Sequence, residues 1–162
     1  MSRYWVVDAS PIILLAKAGR PELLSTCADR LLIPAAVAEE VRAAESDDPA
    51  RSWVETAGSP FVAETQAVAP EIASWDLGRG ESRVLSAAHR RDGWTAVVDD
   101  GAARRCAQAL EIPVVGTLGV LVVARKVGTI EAVRPVVDHL VQPGLHVGKE
   151  VVERVLRMAD EA

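Results

Sequence analysis

Cysteine is scarce in this chain. Cys27 and Cys106 are the only two among 162 residues, so a disulfide framework is not expected. His89, His139 and His146 stand singly, and no zinc spacing emerges from them. Any metal would therefore have to be held by oxygen. Long apolar runs are lacking too: the longest, "PVVGTLGVLVVA", has about 12 residues and ends in Arg125 and Lys126, too short to span a bilayer. With no signal-peptide pattern at the N-terminus, a cytoplasmic protein without a membrane partner is expected. There is no basic surplus, since the net charge of −5 argues against non-specific nucleic-acid binding through a uniformly basic surface. Linkers, repeats and low-complexity tracts are absent as well.

At 49% apolar and 25% charged the composition is that of a folded globular protein. A chain of this length buries roughly 70% of the surface its unfolded form exposes, so one domain over 1–162 with a substantial core is expected. The charge is polarised along it. Residues 39–76 hold nine acids against Arg42 and Arg51, whereas residues 79–105 hold six arginines against four acids. Arg outnumbers Lys 15 to 3, which suits bidentate phosphate contacts and equally fits a plain compositional bias.

Short β-branched runs, "YWVVD", "RLLIP", "FVAE", "TAVVD" and "IPVVG", alternate with helical patterns, which predicts a parallel sheet with helices on both faces. Helix starts are marked by Ser10-Pro11, read as a cap followed by proline, and by Asp100-Gly101. The Pro-containing cluster in "AESDDPARSW" is expected to separate two helices. The last third reads as three helices with breaks at Gly128 and around Pro143-Gly144. The final helix is amphipathic, with Val151, Val155 and Met158 or Val152 and Leu156 at helical spacing.

Acids occupy comparable places in this pattern. Asp8 follows Val6 and Val7, Glu81 opens a helix, and Asp99 with Asp100 follows Val97 and Val98, all at element ends that one face of a parallel sheet would bring together. Glu40 lies on the helix after "LLIP". Open parallel sheets bind ligands at the carboxyl ends of their strands. Two carboxylates about 4 Å apart repel by roughly 4 kcal/mol at an effective dielectric near 20, so such a cluster takes up protons or holds a divalent cation. Hard oxygen donors without His or Cys point to Mg2+ or Mn2+, and the matching chemistry is phosphodiester hydrolysis. Each acid also has a structural reading: Asp100 as an N-cap, Glu81 as a partner of the helix dipole, Glu40 as a solvated helix residue. Asp8 is harder to explain that way, because Ser10 already supplies a cap.

These motifs resemble a PIN-domain ribonuclease, and more narrowly the VapC-type toxins of toxin–antitoxin systems. "VVDASPIILLAKAG", "LLIPAAVAEEV", "LGRGESRVLSAA" and "TAVVDDGAARRCAQALEIPVVGTLGVL" resemble the family's four acid-bearing segments in order, from about Trp5 to Gly128. The resemblance implies a PIN-like α/β/α sandwich with about five parallel strands, a core over about 4–128 and extra C-terminal helices over about 129–162. It further implies a Mg2+- or Mn2+-dependent endoribonuclease with an RNA substrate, a cognate antitoxin and a homodimer. In that reading Asp8 and Glu81 bind the metal, Asp99 or Asp100 completes the shell, and Glu40 orients or deprotonates the attacking water. Ser10 and Thr117 would bond a carboxylate or phosphate, and Arg79, Arg104 and Arg105 would meet the RNA backbone.

A catalytically silent PIN-like module that binds RNA or protein is the alternative. A receiver domain needs an acid pair after its first strand, and a haloacid-dehalogenase-like phosphatase needs a second Asp where this chain has Ser10. Both are poor fits.

Overall fold

Apolar β-branched runs of four or five residues become strands where both of their faces can be covered. The computed structural model, which describes residues 2–141 and 148–161, places β1 at Tyr4–Val7, β2 at Arg30–Pro34, β3 at Val62–Ala63, β4 at Trp94–Val97 and β5 at Val114–Val115. They pair in the order β3-β2-β1-β4-β5, every pair parallel. All five expected runs thus enter one sheet. The run "FVAE" contributes only two residues, because Ser59–Phe61 turns as a 3-10 helix just before them. β1 lies at the centre, and its Val6 and Val7 are fully buried.

The connecting segments are α1 (Ala9–Lys17), α2 (Leu23–Cys27), α3 (Ala35–Arg42), α4 (Pro49–Glu55), α5 (Pro70–Ala73), α6 (Arg79–His89), α7 (Gly101–Ala109) and α8 (Thr117–Lys126). Helices flank the sheet as an α/β/α sandwich. α6 lies on β1, β2 and β4, while α1 packs against α3, α4 and α8. The cluster before α4 works as its composition suggests: Asp48 accepts hydrogen bonds from the amides of Ala50 (2.9 Å) and Arg51 (3.1 Å), with Pro49 opening the helix. Asp100 likewise caps α7, accepting from the Ala103 amide at 3.0 Å.

The start of α1 differs from expectation. The helix begins at Ala9, so Asp8 holds the cap position and Ser10 and Pro11 fall inside the first turn. Proline is tolerated there because first-turn amides have no intrahelical acceptor anyway. Ser10 is thereby released from capping.

Beyond α8, Gly128 adopts a left-handed φ of 83, a conformation that favours glycine. Two more helices follow, α9 (Arg134–Val141) and α10 (Lys149–Met158). The expected break around Pro143-Gly144, and His146, lie outside the described residues. α9 packs on α1, and α10 packs on α8. Val155 and Leu156 of α10 are buried, Val151 and Val152 half-buried, and Met158 exposed. Its apolar face is therefore covered mainly by its own chain.

One carboxylate ties these helices together. Glu161 accepts hydrogen bonds from the amides of Val133 (2.5 Å) and Arg134 (3.1 Å), at the entrance to α9. It satisfies helix-end donors from 28 residues away in sequence. Losing such a cap costs about 1 kcal/mol. Glu161→Ala is expected to lower the thermal midpoint by about 2–4 °C, measured by circular dichroism.

The strand order reverses between β1 and β4, the usual place for a ligand crevice in an open parallel sheet. Asp8 and Asp99 leave those two strands.

Candidate active site

The crevice is built by neighbouring strands ending in register. Val7 pairs with Val97, and the Asp8 amide donates to the Val97 carbonyl at 3.0 Å. The residues after β1 and β4 are therefore held side by side. Asp8 is 6% exposed and its backbone is extended, but its side chain makes no capping bond to the first turn of α1. Burial pushes its carboxyl up to about 7; the Ala9 amide pulls down against this, and the carboxylates of Glu81, Glu40 and Asp99 push up further. A buried acid so poorly served by hydrogen bonds is not there to stabilise the fold.

Asp99 is held differently. Thr117, fully buried at the start of α8, donates from its amide (2.7 Å) and its hydroxyl (2.6 Å) to the two Asp99 oxygens. Ser10, freed from capping, donates its hydroxyl to Asp99 Oδ2 at 3.3 Å. Both hydroxyls thus orient a carboxylate. Asp100 faces Glu81 while it caps α7: Glu81 is raised by burial first, then by the charge of Asp100, its hydrogen bond to Asp100 and the charge of Glu40. The two adjacent aspartates serve different neighbours, one beside Asp8 and the other beside Glu81.

Glu40 comes over the crevice from α3. Its Oε1 accepts from the Gly80 amide at 3.0 Å, in the first turn of α6. A Cβ at position 80 would collide with that same Oε1 and lie 3.4 Å from Asp8 Oδ1. Glycine is therefore a spatial requirement here. Its signal in the sequence is a glycine directly before a candidate acid inside a helix, where alanine would ordinarily be preferred by about 1 kcal/mol. Beside it Arg79 Nη1 pairs with Glu39 Oε2 at 2.6 Å, which holds the exposed Glu39 carboxyl below its usual range. Arg79, expected at the RNA backbone, thus also links α6 to Glu39 of α3 through an exposed ion pair at the rim.

Arg104 lies near the crevice, with Nη1 donating to the Val98 carbonyl at 3.1 Å. Arg105 is exposed on α7, and its Nη1 would be 3.3 Å from a Cβ at Gly101; it folds back over its own helix start. Asp8, Glu40, Glu81, Asp99 and Asp100 are therefore all brought to the crevice, together with Ser10 and Thr117.

The donor chemistry fits a hard divalent cation, because every candidate ligand is a carboxylate and the central one is buried among like charges. Among the described residues no three His, Cys, Asp or Glu side chains are arranged to hold an ion. Glu40 is bonded to the Gly80 amide, Asp99 to Thr117, and Asp100 to α7. Carboxylate oxygens have spare lone pairs, so these acids could hold a cation without giving up their present bonds.

A family model described as a PIN domain, DUF3368, matches residues 4–161. It extends through α9 and α10, past the Gly128 limit of the motif resemblance. No curated protein matches, and no solved structure matches.

Proposed function

The chain belongs to the PIN-domain family, whose members are generally nucleases, and from that premise we propose that it is a Mg2+- or Mn2+-dependent endoribonuclease, the VapC-type toxin of a toxin–antitoxin pair. The observation that carries the reading is Asp8: a buried carboxyl raised to about 7 at the strand-order reversal, with four more acids around it. Asp8 and Glu81 would hold the metal, with Asp99 and Asp100 completing its surroundings. The bound cation would lower the pKa of a water and neutralise charge on the phosphoryl oxygens. Glu40, anchored on Gly80, would orient the attacking water and take its proton. Thr117 and Ser10 hold Asp99 in position. The wider reading includes an antitoxin that covers the crevice and a homodimer.

Purified protein is expected to cut total cellular RNA into discrete fragments with Mn2+ and to leave it intact in EDTA. Saturating Mn2+, at about 100 times its Kd, should also stabilise the wild type by about 2.7 kcal/mol. Asp8→Asn should lose most of that shift. A folded chain with neither cleavage nor a Mn2+ shift would instead be a silent binding module.

A further inference from the structure

A groove of about 590 Å³ runs between the edge strand β5, the start of α8 and α10. Asp99 forms part of its lining, so it opens from the acid crevice. The junction is Gly116, where a Cβ would stand 2.9 Å from Asp99 Oδ1 and 3.1 Å from Arg104 Nη1. A side chain there would crowd both groups, so crevice and groove meet at a bare backbone position.

The lining is sorted by chemistry. Leu118 and Val151 belong to an apolar wall, and the charged members besides Asp99 are Arg104 and Arg154. Arg154 is exposed on α10, and neither arginine forms an ion pair among the described residues. Arg104 commits one guanidinium nitrogen to the Val98 carbonyl out of five N–H donors. Two guanidinium groups free of ion pairs beside an aliphatic wall match a nucleotide, whose phosphate takes bidentate cationic contacts while its base covers apolar surface.

We propose that this groove carries the single-stranded RNA segment next to the scissile phosphate, with a base against Leu118 and Val151 and a backbone phosphate between Arg104 and Arg154. The inference rests on the nuclease reading above. It makes α10 part of the substrate path.

The test is fluorescence anisotropy of a labelled single-stranded oligoribonucleotide in EDTA, where no cleavage intervenes, with a parallel cleavage assay in Mn2+. Arg154→Ala should weaken binding about fivefold and reduce the slope of log K against log salt by about 0.7, the loss of one phosphate contact. Arg154→Lys should recover much of both. Lys126→Ala, at the far end of α8, should bind as the wild type does. If the protein cleaves RNA but Arg154→Ala binds and titrates with salt like the wild type, the groove proposal is overturned and the nuclease reading stands. If the wild type neither binds nor cleaves, both fall. If oligonucleotide binding ignores Arg154 while Met158→Lys dissociates a dimer in light scattering, the groove belongs to a second copy of the chain.

Discussion

Asp8→Asn is expected to abolish cleavage and, in EDTA, to raise the thermal midpoint at pH 8 by about 10 °C while leaving it nearly unchanged at pH 4. The carboxyl of Asp8 ionises at about 7 in the folded chain, against an ordinary 3.8. Between those values the folded state binds the extra proton, so stability falls as pH rises. The penalty is absent below the ordinary value and complete above about 7. A displacement of that size corresponds to roughly 4 kcal/mol, and a chain of this length gains about 2–4 °C per kcal/mol. Asparagine keeps the shape and cannot ionise, so the difference between variant and wild type should grow with pH across that window. Paired melts at several pH values measure it. A difference that stays flat, or a variant less stable at pH 8, would show that Asp8 ionises without strain and serves the fold.

Gly80→Ala should cost activity without costing stability. Alanine in a helix normally stabilises relative to glycine, by up to about 1 kcal/mol at interior positions and less in a first turn such as that of Gly80. Here the new methyl group would meet Glu40 Oε1 and approach Asp8. Glu40 is on α3 and can turn outward into solvent, so the helix tolerates the change while the carboxylate leaves the Gly80 amide. Displacing a catalytic group by about 1 Å can cost about 100-fold in rate. The expected result is a midpoint within about 2 °C of the wild type and cleavage reduced by about 100-fold. Wild-type cleavage in Gly80→Ala would mean that Glu40 does not work from this position. Glu40→Gln supplies the control: it keeps the bond to the Gly80 amide but removes the base.

Much of this architecture is local in origin. Runs such as "YWVVD" and "TAVVD" have only one economical structure, a strand buried on both faces, and their period changes sharply where the helices begin. Acids placed at those changes of period must reach the carboxyl edge of the sheet in any parallel arrangement. Asp8, Asp99 and Asp100 were legible for that reason, Glu81 as the acid that opens a helix, and Glu40 through its place after the second strand. Asp100 as a cap was equally local, because a cap bonds only two or three residues ahead.

Partners far apart in the chain were decided by packing alone. Ser10 reads as a cap and, through the family resemblance, as a partner for a carboxylate or phosphate; only packing shows that the helix starts one residue before it and that its hydroxyl reaches Asp99, 89 positions away. Arg79 reads as a phosphate contact, and only the packing of α3 on α6 shows that it also meets Glu39, 40 positions away. The same packing gives Gly80 its carboxylate. α10 shows the difference most clearly: its amphipathic period foretells a buried face, yet only its seat on α8 puts Arg154 on the groove that Asp99 lines. Periodicity records which side of an element is apolar, whereas the partner of that side depends on distances between elements that no local pattern encodes.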